Sequence, residues 1–123
     1  MLRDKLLRLA ETEVARVQEK LPEEVRDAAH ECGVWYESIA EAIDAGDDLD
    51  EEILGLFEGY TRLDPLPSGP EDMPRIRLFL DSLWEYAGEE ELIFRREVRT
   101  TYLHELGHYL GWDEEQVEAL GLG

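Results

Sequence analysis

The chain has 123 residues, enough for one domain with an apolar core and too few for two, so we expect a single domain spanning residues 1–123. Hydrophobic residues make up 43% and charged residues 35%, the balance of a folded protein rather than of a disordered chain. The formal net charge of -19 argues against nucleic acid and anionic membranes as partners, because both attract clusters of Lys and Arg. A surface this negative favours cationic partners or basic substrate segments, although solubility alone would also explain it.

Cysteine usage and the N-terminal residues predict the compartment. Cys32 is the only cysteine, so no disulfide can form within the chain, and a reducing compartment is the simpler expectation. In the opening MLRDKLLRLAETEVARVQEK, charges recur every few residues and leave no apolar run for a signal peptide or a membrane span. We therefore expect a cytoplasmic protein. Asn is absent and Arg far outnumbers Lys, a bias that suits a thermophilic source.

The first third of the chain predicts two helices and a strand. Apolar residues at helical spacing predict an amphipathic helix that ends before Leu21-Pro22. Pro22 followed by two glutamates suits the first turn of a second helix, which runs to about Glu31 and stops at Gly33. The next residues are rich in β-forming types and predict a first strand that contains Val34, Trp35, Tyr36 and Ile39.

The middle of the chain predicts two further strands separated by loops. DAGDDLDEE, residues 44–52, reads as a solvated loop whose acids lack the spacing of a calcium loop. Residues 53–57 predict a second strand closed by Gly59, and the prolines of residues 61–74 exclude regular structure. The alternation in PRIRLFLD, residues 74–81, predicts a half-buried strand. Asp81 or Ser82 would then cap a short helix through Tyr86.

Residues 89–110 predict a long helix, because they contain one glycine and no proline. An apolar stripe at helical spacing would face the core and consists of Phe94, Val98, Tyr102, Leu106 and Tyr109. A neighbouring polar stripe consists of Glu97, Thr101, His104 and His108. The two histidines therefore lie on a face that borders the core face.

The segment HELGH, residues 104–108, predicts a metal site. Four residues apart on a helix, His104 and His108 have Cβ atoms about 6 Å apart on one face, from which both imidazoles can reach one Zn²⁺. Glu105 is turned by about 100° around the helix axis, where its carboxylate can accept a proton from the attacking water. The pattern H-E-x-x-H thus supplies two ligands and a general base. The alternative is two exposed helix histidines that bind no metal.

A catalytic zinc usually has a third protein ligand. Gly111 can end the helix in a left-handed conformation and redirect the chain, so that an acid two to four residues later can reach the metal. By spacing alone the candidates are Asp113, Glu114 and Glu115. A second metal site at His30 and Cys32 is not expected, because no further cysteine exists to complete it. The better interpretation is a histidine with satisfied hydrogen bonds and a buried thiol.

The tail HELGHYLGWDEEQVEALGL resembles that of the minimal zincin family, small bacterial zincin-like metallopeptidases with the pattern H-E-x-x-H-x-x-G-x-x-D/E. LPEEV, ILGLFEGY, the proline-rich loop, RIRLFLD and VRTTYLHELGH occur in the family's order, so the resemblance covers about residues 20–123. It implies an α+β fold in which a small mixed sheet packs on the active-site helix, here with an added N-terminal helix. It also implies that Glu114, three residues after Gly111, is the third ligand, where the family often has Asp.

These residues together predict zinc-dependent peptide hydrolysis. One Zn²⁺ would be held by His104, His108 and Glu114, with Glu105 as general base. The substrate would be a peptide or protein lying as an added strand along residues 75–81, provided that this strand is the sheet edge facing the helix. The alternative is a metal-binding interaction protein on the same scaffold whose chemistry is slow or absent.

An electrophilic partner for the oxyanion is not obvious from the sequence. The candidates are Tyr60, Tyr102 and Tyr109. A tyrosine beside an apolar stripe is more often part of the core, so none is assigned a catalytic role.

Overall fold

The computed structural model describes residues 1–65, 69 and 73–119. Its elements are α1 (Leu2–Lys20), α2 (Glu23–Glu31), β1 (Gly33–Glu37), α3 (Ile39–Asp44), β2 (Gly55–Glu58), β3 (Arg75–Phe79), α4 (Leu80–Tyr86), α5 (Glu91–Leu110) and α6 (Glu114–Glu118). The three strands form one mixed sheet in the order β1-β3-β2, with β3 parallel to β1 and antiparallel to β2. The expected α+β fold, with a small mixed sheet and an N-terminal helix, is confirmed.

The larger hydrophobic core joins one face of the sheet to α1 and α5. Ile76 and Leu78 of β3 enter it and are fully buried. The apolar stripe predicted for the long helix is buried in the same core: Phe94, Val98, Tyr102, Leu106 and Tyr109. The helix α1 contributes Leu6, Ala10, Val14 and Val17. In the last ten residues of α5, only His104, Glu105 and His108 are not buried, so the rotation of the helix about its own axis is fixed relative to the sheet.

The opposite face of the sheet carries a smaller core and a buried arginine. Phe79 packs against α3, and the Arg77 guanidinium lies over its ring at 5.2 Å. Arg77 is only 9% exposed and donates to Glu37 on β1, to Asp47 in the loop after α3 and to Glu58 on β2. Acids from three segments therefore neutralise the buried charge. Since both of its faces are covered, β3 is buried rather than half-buried.

The position of β3 corrects one prediction. A peptide substrate is expected along this strand only if the strand is a sheet edge, but the strand is central and pairs on both sides. In the part of the chain that the structure describes, the edges of the sheet are β1 and β2. Strand order depends on which strands meet in space, and the local alternation in residues 75–81 does not encode it.

The first strand is shorter than predicted, because Ile39 begins α3 instead of continuing β1. Ser38 caps this unpredicted helix, and its hydroxyl accepts the backbone N–H of Glu41 at 3.2 Å. The chain thus turns from strand to helix at a serine, a residue type that favours helix N-termini.

Asp81 does not cap α4, which begins at Leu80 without a side-chain cap. Its carboxylate accepts the backbone N–H groups of Ile39 and Ala40 and the hydroxyl of Ser38. The predicted capping role is therefore wrong for α4, and Asp81 caps α3 instead.

Other features agree with the predictions within a few residues. The bounds of α1, α2, β2 and α5 are close to those expected, and residues 45–54 lie outside helices and strands. In the proline-rich segment, Pro65 and Pro74 lie in irregular structure, whereas Pro67 and Pro70 lie outside the described residues. Within the described part of the chain, no helix has the length and apolarity needed to cross a membrane.

Candidate metal centre

His104 and His108 lie one turn apart on the part of α5 that faces solvent. Their side chains are 47% and 56% exposed, and their ring centroids are 5.0 Å apart with the planes nearly perpendicular. The opposite side of the same turn is buried through Leu106 and Tyr109. Burial of that side directs both imidazoles outward, where one ion can reach them.

Glu105 lies between these histidines and the sheet. Its side chain is only 12% exposed, and its Oε1 atom is 3.9 Å from Nε2 of His108. Burial raises the pKa of Glu105, and nearby His108 and His104 and the backbone amide of Phe57 act in the opposite direction. The carboxylate is thus held beside the imidazoles and shielded from bulk water.

The donor atoms of these residues fit one zinc ion. Ligand atoms of His104, Glu105 and His108 lie within 4.8 Å of one another, and no other metal-type cluster occurs among the described residues. Imidazole nitrogens and carboxylate oxygens suit zinc, and donors at about 2.1 Å from one tetrahedral ion are about 3.4 Å apart. Small side-chain rotations therefore suffice to bring the two histidines onto one ion.

The turn after α5 returns the chain to this site. Gly111 has φ 73° and ψ 25°, so the predicted left-handed end of the helix is confirmed. Its N–H donates to the carbonyl of His108 at 3.2 Å, and the N–H of Trp112 donates to the carbonyl of Gly107 at 2.8 Å. These two bonds form a Schellman motif, which satisfies carbonyls at the helix end. The short helix α6 follows directly.

The three acids proposed as third ligand have different positions. Asp113 is the N-cap of α6, where its carboxylate accepts the N–H of Gln116 at 2.8 Å and the Gln116 side chain accepts the N–H of Asp113. Glu114 is 82% exposed, and its Oε1 atom is 3.8 Å from Nδ1 of His104. Of the three, Glu114 has a described contact with a histidine, whereas the Asp113 carboxylate is engaged in capping. Glu115 is exposed beside them.

The edge strand β2 lies next to the site, a role that the sequence did not reveal. A Cβ on Gly55 would be 2.6 Å from Cγ2 of Thr101, so glycine permits the close approach of β2 to α5. The carbonyl of Leu54 accepts the N–H of Phe79 at 3.0 Å. Because successive residues of a strand alternate, the backbone groups of Gly55 and Phe57 point to the free edge. Gly55 was the one sequence signal for this packing, because a glycine in a strand often marks a place where another element approaches closely.

The loop after β2 is fastened to the C-terminal end of α5. The N–H of Arg62 donates to the carbonyl of Tyr109 at 2.8 Å. Leu63 occupies the space that a Cβ on Gly111 would need. Tyr60, one candidate for the oxyanion partner, is half-buried at the start of this loop.

The remaining candidate residues belong to the core or to the surface. Tyr102 and Tyr109 are buried, and the hydroxyl of Tyr102 accepts a hydrogen bond from Gln18 at 3.0 Å. Cys32 is buried as expected, which raises the pKa of its thiol to about 12. His30 is exposed. None of these four residues belongs to the cluster at His104.

Fold and site together define an α+β protein whose H-E-x-x-H helix carries a zincin-type metal motif beside the edge strand of a small sheet. A model of the zincin-like metallopeptidase family matches residues 29–123, most of the chain. The protein belongs to this family, as its resemblance to the minimal zincins predicts, and the family implies a metal ion, usually zinc. No curated protein matches the chain.

Proposed function

We propose that the protein is a zinc-dependent peptidase in which His104, His108 and Glu114 hold the metal. The observation that carries this proposal is the convergence of His104, Glu105 and His108 within 4.8 Å on one helix of a zincin-like metallopeptidase. When bound, zinc supplies two effects, a lowered pKa for a water molecule and polarisation of the scissile carbonyl.

Glu105 is the general base of this proposal. Its carboxylate accepts the proton of the attacking water and passes it to the leaving amine. Two features support this role: the side chain is 12% exposed, and an oxygen lies 3.9 Å from His108. A carboxylate in that position reaches a water beside the metal and is restrained by its surroundings.

The substrate peptide lies along the free edge of β2 as an added strand. Gly55 directs its N–H and its carbonyl to that edge and Phe57 directs its carbonyl there, whereas the N–H of Phe57 acts on Glu105. Backbone hydrogen bonds can bind an extended peptide without regard to its side chains. The neighbouring helix α6 exposes three acids, of which the first contacts His104: Glu114, Glu115 and Glu118. Their charge favours substrates with basic segments, since complementary charge increases the rate of encounter.

A second candidate function is metal binding without turnover, as in an interaction protein on a zincin scaffold. The exposure of His104 and His108, about half of each side chain, favours it. Peptidases strengthen their electrostatic interactions by excluding water from the site, and an open site does so less well.

The variant Glu105→Gln separates the two functions. We expect the parent protein to cleave members of a broad peptide library, as detected by mass spectrometry. The cleavage rate should fall by about 10²- to 10⁴-fold in the variant. Zinc content measured in parallel should be equal in both. Glu19→Gln, an exposed substitution on α1, is the control. Cleavage that survives in Glu105→Gln contradicts the mechanism, and full zinc occupancy without any cleavage supports the second function.

A further inference from the structure

We propose that Gly107 positions the third metal ligand by providing the surface on which α6 docks, an inference that rests on the metal site proposed above. Gly107 lies inside α5, between Glu105 and His108. Glycine weakens the interior of a helix relative to alanine, because it has more conformational freedom to lose. Its presence here therefore needs a structural reason.

The reason is the contact with α6. A Cβ on Gly107 would lie 2.7 Å from Cγ2 of Val117, well inside the usual separation of about 3.5–4.0 Å between carbon atoms. The carbonyl of Gly107 also accepts the N–H of Trp112, the bond that sets the turn into α6. The same residue thus contacts both the entry to α6 and its last turn.

Among the described residues, few other contacts hold the short helix α6 in place. It has five residues and none of them is buried. Val117 is its half-buried apolar residue and packs against the main core. Because a helix of this length is unstable alone, its position depends on the Gly107–Val117 contact and on the turn at Gly111.

The ligand contact and the docking contact belong to the same pair of helices. His104 and Gly107 are three residues apart on α5, and Glu114 and Val117 are three residues apart on α6, so each pair shares one face of its helix. The first contact is 3.8 Å between Nδ1 of His104 and Oε1 of Glu114. Docking of Val117 on Gly107 thus brings Glu114 beside His104.

A side chain at position 107 would separate these helices. Relief of the clash requires either a new rotamer of Val117 or a displacement of α6. Valine is branched at Cβ and has few alternative rotamers on a helix, so we expect displacement. Glu114 would then move away from His104. Gly107 therefore acts through Glu114 and has no contact with substrate in this proposal.

The substitution Gly107→Ala tests the inference through metal affinity. We expect zinc affinity, measured by competition with a chromophoric chelator, to fall by about 10- to 100-fold, the range for residues that orient ligands. The metal-free protein should keep its thermal midpoint, because alanine favours the helix. With Co²⁺ as the probe, the visible absorption of Gly107→Ala should change as it does in Glu114→Gln.

Two double variants show whether Gly107 acts by this route. Gly107→Ala combined with Val117→Ala should recover most of the lost affinity, because the new methyl group occupies the space left by the removed ones. Gly107→Ala in the Glu114→Gln background should cause no further loss. Glu19→Gln, an exposed substitution on α1, is the control and should leave zinc affinity unchanged.

The inference is overturned if Gly107→Ala binds zinc as tightly as the parent protein. It is also overturned if adding Gly107→Ala to Glu114→Gln lowers zinc affinity as much as Gly107→Ala does in the parent protein. If circular dichroism shows that Gly107→Ala does not fold, Val117→Ala replaces it as the test, because this variant weakens the docking of α6 without adding an atom. Unchanged zinc affinity in Val117→Ala would also overturn the inference. His108→Ala separates this failure from that of the proposed function. Zinc retained in His108→Ala refutes the metal site itself, whereas zinc lost there but not in Gly107→Ala refutes only the positioning role.

Discussion

The Oδ1 atom of Asp81 lies 2.7 Å from the backbone nitrogen of Ile39, so a residue of α4 holds the N-terminus of α3. Ser38 and Ala40 donate to the other oxygen of the same carboxylate. We expect Asp81→Ala to lower the free energy of unfolding by about 1–2 kcal/mol, as for the loss of a helix cap. Urea denaturation measures the change, and Asp48→Ala in the exposed loop is the control. Equal stability of both variants would contradict the assignment.

The same carboxylate predicts a pH dependence. Partial burial would raise the pKa of Asp81, but hydrogen bonds from Ile39, Ser38, Ala40 and Ser82 outweigh it and hold the pKa below 3.8. The stability contributed by ionised Asp81 is therefore complete above pH 3.8 and is lost as the pH falls through the lower folded-state value. The stability difference between parent and Asp81→Asn should shrink only in that acidic range. A difference that grows on acidification would refute this prediction.

Arg77 should contribute more to stability than its neighbour Arg75. Removal of Arg77 leaves Glu37, Asp47 and Glu58 without their shared cation, and their side chains are 25%, 45% and 30% exposed. We expect Arg77→Ala to cost about 3 kcal/mol, the lower end for a broken buried pair, because the acids keep some hydration. Arg75→Ala, whose side chain is 32% exposed, should cost below about 1 kcal/mol. Similar losses in chemical denaturation would be inconsistent with this distinction.

Metal binding should require His108 but not His30. Bound zinc stabilises the folded state by mass action, by about 2.7 kcal/mol at a free concentration 100 times the dissociation constant. We expect the parent and His30→Ala to contain one zinc per chain and to gain thermal stability with zinc. His108→Ala should lose both properties. His30 is a matched control because it is an exposed helix histidine outside the cluster. Loss of zinc in both variants would indicate a non-specific effect.

Substitutions that preserve the N-cap of α6 can show whether Glu114 or Asp113 is the third metal ligand. Asp113→Ser removes the carboxylate but keeps a good N-cap residue, so α6 should persist and zinc affinity should change little. Glu114→Gln keeps the shape of the side chain and removes the anionic ligand, so zinc affinity should fall by at least about tenfold. Isothermal calorimetry with zinc measures both. A larger loss in Asp113→Ser would identify Asp113 as the ligand.

The fold was predictable where one pattern extends over many residues. The apolar stripes of α1 and α5 and the alternation in β3 each identify their element. The helix α3 has six residues, and its start depends on Asp81, 42 positions beyond Ile39 in the sequence. No local pattern shows such a contact. The local alternation likewise assigns Arg77 to a polar face, and its burial depends on acids from two neighbouring strands and a loop.

The site was predictable where one helix supplies its residues. The spacing of His104, Glu105 and His108 is enough to bring them together on α5. The choice between Asp113 and Glu114 is different, because it depends on which acid caps a five-residue helix that the sequence pattern does not reveal. The position of β2 beside the site depends on strand order, which the periodicity of the sequence does not predict either.

Strand β2 is attached to α5 on both sides of the site. Gly55 abuts Thr101 before the site, and Arg62 is hydrogen-bonded to Tyr109 after it. The position of β2 relative to α5 is therefore set during folding, and a peptide bound along β2 as we propose would not have to order a loop there. The conformational entropy lost on binding falls mainly on the peptide, so extended or conformationally restricted peptides should bind with the smallest penalty.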